Sequence, residues 1–456
     1  MSDFSEYLHP GKKGYLIGIG GVSMSPLAEV LHGAQLSISG TDISDSAKVK
    51  QLRALGIPVN IGHAAENITP DIDFIVRTAA VHDDNVEIVR AHELGIPVFE
   101  RAEAWGAIMR NYNNALCISG THGKTTTTSM ATHILMAAHR DPTVMIGGTL
   151  PLLQAGHRIG SGDTIILESC EYYNSFLSFF PTVAVILNVE ADHLDFFKDL
   201  DDVMASFRRF ALLVPPEGCV VANADDANTM SVVAGIERRV ITFGLHENAD
   251  VYARNIKLSG AQTEFDIMCK GKVFTRVSLR VPGLHNVKNA LAAAAATIFL
   301  GASATDVKYG LAAFTGAGRR FEFKCKFNGA DVYDDYAHHP GELRALLDAV
   351  EPLGYKRVIV AFQPHTYSRT KALFDDFVTQ LRRPDLTLLA EIYAAREQNT
   401  IGISSADLAK EIDGAEYFPD FAGLEAYLRE NAQPGDIILT VGAGDIYRVG
   451  EALAEK

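Results

Sequence analysis

The run Gly120-Thr121-His122-Gly123-Lys124-Thr125-Thr126 is where the chain offers chemistry most clearly. Backbone N–H groups of such a turn cradle phosphate oxygens, and a following helix N-terminus favours their charge. The lysine reaches the β- and γ-phosphates, and the Thr125 hydroxyl can hold magnesium. Ile118 stands where the longer Walker loop has its first glycine, so this is a shortened G-x-x-G-K-T form. An ordinary strand-to-helix turn with a chance lysine is the competing account, and the strand pattern at 115–119 with the helical pattern up to Ala138 speaks against it.

Once a nucleotide is placed there, carboxylates and imidazoles at neighbouring strand ends become metal candidates. Glu168 ends an apolar strand pattern at 164–167, and His193 follows one at 183–187. Both would lie on the carboxyl edge of a parallel sheet, beside the loop. Magnesium takes few protein ligands together with phosphate and water, which Thr125, Glu168 and His193 could supply. Glu171, Glu190 and Asp192 compete for the carboxylate role, and a lone histidine is more often a structural group than a ligand.

A second glycine turn lies near the start. Gly18-Ile19-Gly20-Gly21-Val22-Ser23, with Asp42 after the next strand pattern, resembles a dinucleotide fingerprint in which Ser23 replaces the third glycine. Gly18, Gly20 and Gly21 would let backbone approach a pyrophosphate, and Ser23 would cap the helix behind it. Glycines required only for close strand-to-helix packing would read alike. Gly442-Ala443-Gly444-Asp445 forms a similar, equally unspecific turn.

Asn286 and Asn289 open an alanine-rich helix, where their amides could read an adenine edge or simply cap the helix. Arg319 and Arg320 follow the glycine hinge Thr315-Gly316-Ala317-Gly318. Arginine suits a transferring phosphoryl group, and a carboxylate of Asp334-Asp335-Tyr336-Ala337-His338-His339-Pro340 suits a ribose or metal. A solvated charge pair and a strand-end turn would explain the same residues.

The elements that must position these groups alternate along the whole chain. Strand patterns at 14–19, 36–39, 73–76 and 97–99 alternate with helical stretches, the first of them at 26–31, and the polar segment 110–114 looks like a linker. Strands at 115–119, 164–167, 183–187 and 218–222 make a second α/β unit, with a β-meander at 250–281 and a helix at 287–300 that should end on a left-handed Gly301. Strands at 331–333, 357–362, 386–389 and 436–441 make a third. The fold class is therefore α/β, with expected domains at 1–111, 112–315 and 316–456. A length of 456 residues suits three cores better than one.

Composition sets outer limits. The formal charge of -15 argues against general attraction to nucleic acid or anionic membranes, so anionic ligands must be held by local devices. No uninterrupted apolar run is long enough for a membrane span, and Met1-Ser2-Asp3-Phe4-Ser5-Glu6 lacks the build of a signal peptide, so a cytoplasmic location is expected. Cys117, Cys170, Cys219, Cys269 and Cys325 are scattered and odd in number, which fits buried reduced thiols.

Taken in order, these blocks resemble the Mur ligase family over essentially the whole chain. The resemblance is carried by Gly18-Ile19-Gly20-Gly21, the loop 120–126, Glu168-Ser169-Cys170-Glu171, Asn188-Val189-Glu190-Ala191-Asp192-His193-Leu194-Asp195 and His285-Asn286-Val287-Lys288-Asn289-Ala290. Asp334 to Pro340, Phe362-Gln363-Pro364-His365-Thr366-Tyr367-Ser368-Arg369-Thr370 and Ile392-Tyr393-Ala394-Ala395-Arg396-Glu397 look most like the member that adds L-alanine to UDP-N-acetylmuramate. The resemblance implies a Rossmann-like first domain for the UDP substrate, a central P-loop ATPase and a mobile Rossmann-like third domain.

By position it implies Lys124 and Thr125 for the phosphates and a first magnesium, Glu168 and His193 for a second, and Asn286 and Asn289 for adenine. It further implies Arg320 for the phosphates, Asp335 for the ribose, and His338, His365 and Arg369 for the substrate carboxylate and incoming alanine. Cys170 stands where the family often has an acidic residue, which favours Glu168 over Glu171 as metal ligand. The expected reaction joins the muramoyl carboxylate to L-alanine through an acyl phosphate, with ATP and two Mg²⁺. A recycling ligase that attaches a tripeptide to the same sugar acid is the near alternative. A nicotinamide-dependent oxidoreductase would leave Lys124, Glu168 and His193 without work, and a nucleotide-sensing module would leave the metal candidates unused.

Overall fold

Each glycine turn sits at the carboxyl end of an interior parallel strand. The computed structural model describes residues 3–78, 80–395 and 397–455, so Met1, Ser2 and Arg396 of the segments quoted above lie outside the described residues. The first sheet is wholly parallel, in the order Val59–Ile61, Ser37–Asp42, Lys13–Ile17, Phe74–Arg77, Val98–Glu100. Lys13–Ile17 is central, so the turn after it opens where the strand order reverses, the usual ligand crevice of such sheets. The helix behind the turn is Met24–Gly33.

The second sheet has ten strands. In its parallel part Cys219–Asn223, Val183–Ile186, Asn114–Ser119, Thr164–Glu168 and Thr143–Leu150 lie side by side. Because Asn114–Ser119 is flanked by Val183–Ile186 and Thr164–Glu168, the loop after it, Glu168 and the segment leading to His193 leave the sheet at one edge. The expected meander is present as Val251–Ser259, Gln262–Cys269 and Lys272–Leu279, joined to the sheet through Val240–Gly244. The alanine-rich helix runs from Leu284 to Phe299. Gly301 ends it at φ +92°, the left-handed position foreseen, and Ala302 N–H donates back to Thr297 at 2.9 Å.

The third sheet follows the order Glu322–Phe327, Ala330–Asp335, Asp436–Val441, Arg357–Phe362, Leu386–Ala390, Glu416–Phe418, antiparallel only in its first pair. Strand patterns alone missed Thr143–Leu150, where Gly147-Gly148 reads as a turn, and Ala155–Arg158, half-buried throughout and without alternation. The second strand also continues through Gly40-Thr41-Asp42, where a strand end was expected.

One buried cluster runs from the first sheet, through Leu16, Phe74 and Trp105, into Cys117, Phe176 and Phe207 of the middle unit. The helix Arg101–Met109 carries it across. At Gly106 an added Cβ would lie 1.9 Å from the Ser178 carbonyl oxygen, so only glycine permits this approach. The expected linker at 110–114 shrinks to residues 110–113, with the Tyr112 hydroxyl bonded to Thr143 at 2.9 Å. The third unit has buried clusters of its own.

Candidate active site

The strand Asn114–Ser119 delivers Gly120 to the edge of the sheet, and the helix starts at Lys124. Between them the loop is tied to Asn188: its carbonyl accepts from Thr121 N–H at 3.1 Å, and its side-chain oxygen accepts from His122 N–H at 2.8 Å. Gly123 sits at φ +85°, and an added Cβ there would lie 2.6 Å from Asn289 Oδ1. Lys124 Nζ donates to the Gly120 carbonyl at 2.5 Å and to Thr121 at 3.2 Å, and lies 3.3 Å from Glu171. Burial opposes its charge, but Glu171, Cys170 and Glu168 outweigh this and raise its pKa. A cation is therefore held inside the loop.

Next to it, Thr125 Oγ1 lies 3.1 and 3.0 Å from the two Glu168 oxygens, and Gly147 N–H donates to Glu168 at 2.7 Å. His193 Nε2 is 3.8 Å from both Glu171 and Asp192, and its ring stacks on Tyr172 at 4.3 Å. Burial lowers the His193 pKa against the pull of Asp192 and Glu171, which keeps a nitrogen lone pair free. Ligand atoms of Cys170, Glu171 and His193 fall within 4.8 Å of one another, and Glu171 Oε1 is buried without a hydrogen-bond partner among the described residues. The geometry thus joins Thr125 to Glu168 and His193 to Glu171.

A cavity of about 370 Å³ extends from the loop and is lined by Thr126, Asn286, Asn289, Arg320 and Asp335 among others. The capping account of the two asparagines does not hold. Gly283 occupies the N-cap without a side-chain cap bond, and Asn286 donates instead to the Pro282 carbonyl at 2.7 Å. Burial pushes the Asp335 carboxyl up to about 6, against Arg320 and the N–H donors of Ala337 and Phe321. Arg320 lies over the Tyr336 ring at 4.7 Å and faces the cavity. Arg319 is used up structurally: it pairs with buried Asp334 at 2.9 Å and donates to the Gly442 and Gly444 carbonyls. The turn at 442–445 therefore serves as an anchor for Arg319.

From the third unit, His338, His339 and His365 converge on the same edge. Arg369 donates to Asp192 at 3.0 and 3.1 Å and to the His365 carbonyl at 2.8 Å. His122 of the loop lies 3.4 Å from Glu190 and 3.4 Å from Glu342. Burial disfavours its charge, yet the two carboxylates raise its pKa to about 9. Burial takes His338 down to about 3 and His365 to about 4, so both rings are neutral.

At the first glycine turn Gly20 N–H donates to Asp42 at 2.9 Å, and Gly18 lies at φ +78°. Gly21 N–H closes the turn onto the Gly18 carbonyl at 3.0 Å. The expected cap by Ser23 is absent: Ser23 stands at the N-cap in helical geometry without a capping bond, and its hydroxyl takes the Arg101 guanidinium.

Sequence reasoning missed Asn188, Glu342 and Arg101. Glu342 carried a readable signal as the third residue after the N-cap His339, where it accepts from His338 and His339 N–H. Its reach to His122 has no local signature.

Family models match all three units: the Mur ligase family catalytic domain over residues 14–113, the Mur ligase middle domain over 118–297, and the Mur ligase glutamate ligase domain over 319–444. A UDP-N-acetylmuramate–L-alanine ligase from Agathobacter rectalis is 46% identical over 459 residues, spanning 100% of this chain and 99% of the relative. One from Lachnospira eligens is 47% identical over 99% of each chain. The crystal structure of the UDP-N-acetylmuramate–alanine ligase of Thermotoga maritima superposes with a TM-score of 0.81 at 29% identity, covering 97% of this chain and 98% of that one. A murein peptide ligase from Psychrobacter arcticus shares the fold, with a TM-score of 0.71 at 23% identity over 98% and 99% of the two chains.

Proposed function

The chain belongs to the Mur ligase family, and on that premise we infer that it is an ATP-dependent ligase joining the carboxylate of UDP-N-acetylmuramate to L-alanine, a step of peptidoglycan precursor synthesis. The observation that carries this is the end-to-end identity of 46% with a relative of that name. Neither the oxidoreductase nor the sensing module accounts for it.

A carboxylate does not condense with an amine in water, because its oxygen is a poor leaving group. The muramoyl carboxylate attacks the γ-phosphorus, giving an acyl phosphate and ADP; the alanine amine then attacks the acyl carbon and expels phosphate. Two anions meet in the first step. Lys124, buried among carboxylates and loop carbonyls, and Arg320, at the cavity wall, offset that repulsion. Asn286 and Asn289 take the adenine side and Asp335 the ribose. Gly120 to Thr126 wrap the phosphates, and Gly18, Gly20, Gly21, Ser23 and Asp42 serve the UDP end.

Family chemistry also calls for magnesium, and the residues fit it. Thr125 with Glu168 forms one oxygen pair, and the partnerless Glu171 oxygen beside His193 forms a second place for a cation, so two ions are proposed. Bound there, the ions would neutralise charge on the phosphates. His338, His365 and Arg369 take alanine and the substrate carboxylate; the neutral imidazoles accept from the alanine ammonium and the guanidinium pairs with a carboxylate.

The division of labour follows 1–111 for the UDP substrate, 112–315 for ATP and 316–456 for the amino acid and closure, which excludes water from the acyl phosphate. No described helix is long and apolar enough to cross a membrane. A cytoplasmic location belongs to the proposal.

The test is phosphate release from ATP with UDP-N-acetylmuramate, run in parallel with L-alanine and with a tripeptide. L-alanine should stimulate release and the tripeptide should not. The reverse result would assign the recycling reaction, and release with neither acceptor would end both readings. Carboxylate labelled with ¹⁸O should deliver one labelled oxygen to the released phosphate, as an acyl phosphate requires.

A further inference from the structure

Glu190 and His339 lie in segments that pointed to chemistry, yet the proposed reaction gives neither a task. They meet beside the phosphate loop. Glu190 Oε2 lies 3.4 Å from His122 Nε2 and 3.8 Å from His339 Nδ1, and the two imidazole rings stand 4.7 Å apart. Ligand atoms of the three residues fall within 4.8 Å of one another. His122 and Glu190 come from the middle domain, and His339 caps the helix Pro340–Val350 of the third.

The three atoms surround one point. A Cβ added to Gly341 would lie 3.0 Å from Glu190 Oε2, 3.3 Å from His122 Nε2 and 3.4 Å from His339 Nδ1, so the place is open only because residue 341 has no side chain. His122 Nε2 is buried there without a hydrogen-bond partner among the described residues. On the other side of that ring, Nδ1 faces Glu342 Oε1 at 3.4 Å. A carboxylate behind one ring nitrogen holds a proton on it and turns the lone pair of the other toward the cradle, the support that metal-binding histidines receive. The cavity of about 370 Å³ is lined by His122, Glu190, Gly341 and Glu342 and gives an ion a way in.

The donor set selects the ion. Two imidazole nitrogens and a carboxylate suit zinc and its neighbours, whereas magnesium and calcium prefer oxygen alone. Tetrahedral zinc, with bonds of about 2.0–2.1 Å, sets its ligand atoms about 3.4 Å apart. His122 and Glu190 already stand at that separation. Glu190 and Glu342 also draw positive charge here, raising the His122 pKa against burial, with Arg320 and Arg344 acting on the same carboxylates from farther off.

We propose that His122, Glu190 and His339 form a site for a divalent transition ion of the zinc class, with Glu342 orienting His122 and water completing the shell. The ion takes the lone pairs of His122 Nε2 and His339 Nδ1. The Nε2 proton leaves to solvent, and Gly341 N–H gives up its 3.2 Å contact with His339. Because the ligands come from two domains, the ion fastens the helix Pro340–Val350 to the phosphate loop. The site uses none of the magnesium ligands proposed above and stands whichever reaction the chain catalyses.

Zn²⁺ and Co²⁺ titrated into the full chain test it, after a chelator has removed bound metal and with Mg²⁺ in excess to fill the oxygen-rich places, followed by calorimetry and visible absorption. One Zn²⁺ should bind per chain, and Co²⁺ should show the strong visible bands of tetrahedral coordination without a thiolate charge-transfer band. Loss of an orienting partner costs about 10–100-fold in metal affinity, and loss of a ligand at least as much. His122→Gln and His339→Gln should therefore each weaken Zn²⁺ by about 100-fold or more, and Glu342→Gln by about tenfold. Gly341→Ala keeps every ligand and fills the cradle, so it should abolish binding while leaving the melting temperature in place, and it decides the matter should a ligand variant fail to fold. Zinc affinity unchanged in Gly341→Ala and in the ligand variants overturns the proposal. So does a chain that binds no Zn²⁺, or binding that is lost in Cys170→Ser instead, which would assign the ion to Cys170, Glu171 and His193.

Discussion

Arg369 of the third domain places two nitrogens on a single carboxylate oxygen of Asp192 in the middle domain, at 3.0 and 3.1 Å. Both side chains are about nine-tenths buried, and the pair stands next to His193 and His365. The arginine assigned above to a substrate carboxylate is thus held by a carboxylate of the protein, and domain contact and substrate contact share one guanidinium.

That sharing predicts non-additivity. Asp192→Ala and Arg369→Ala should each lower kcat/KM for L-alanine, and the double variant should lose no more than the worse single one. A double-mutant cycle on kcat/KM should give a coupling of about 1–3 kcal/mol. Additive losses would mean that the two groups act separately.

His122 predicts a pH dependence. Its pKa rises from 6.5 to about 9 in the folded chain because Glu190 and Glu342 outweigh burial. A raised histidine pKa gives stability that is fully present below 6.5 and is lost as pH climbs through about 9. The melting temperature of the unaltered protein should therefore exceed that of His122→Gln most at the acid end, and the two should converge by the alkaline end. A gap independent of pH would show that the imidazole acts there by packing alone.

Lys124→Met should cut phosphate release about 10²–10³-fold, as expected for loss of a pre-placed charge at a reacting phosphate. Thr125→Val and Glu168→Gln should act differently, raising the magnesium needed for half-maximal rate by about 10–100-fold. Titrating Mg²⁺ in the release assay separates the two behaviours.

Gly123→Ala meets two obstacles at once, the left-handed backbone and the Asn289 amide oxygen 2.6 Å from the new Cβ. It should cost about 1–3 kcal/mol in denaturant unfolding and weaken ATP binding. Adding Asn289→Gly should return part of the stability but none of the ATP affinity. Full recovery of both would remove Asn289 from the nucleotide site.

The loop 120–126 was legible because glycines, a lysine and hydroxyls fall within seven consecutive residues between a strand and a helix. The three α/β units were legible for a similar reason, since buried parallel strands are short apolar runs. Edge strands such as Ala155–Arg158, which lack both hydrophobic continuity and alternation, were not. Ser23 was expected to cap its helix and does not, and Asn286 and Asn289 read equally as caps or as adenine contacts, because the same side chains suit a helix end and a ligand. What removed the caps was a neighbour, Arg101 for Ser23, 78 residues away, and Gly283 at the N-cap for the asparagines. Glu342 was invisible as a site residue because its meeting with His122 exists only when two domains touch.

The close approach at Gly106 also says where the chain can be divided. A cut near residue 111 would open a continuous apolar interior and leave both halves sticky, whereas a cut near 315 runs between interiors that are already closed. A fragment ending there should express as one cooperative body. Exchange of parts among related ligases should accordingly succeed with the last third alone and fail with the first hundred residues alone.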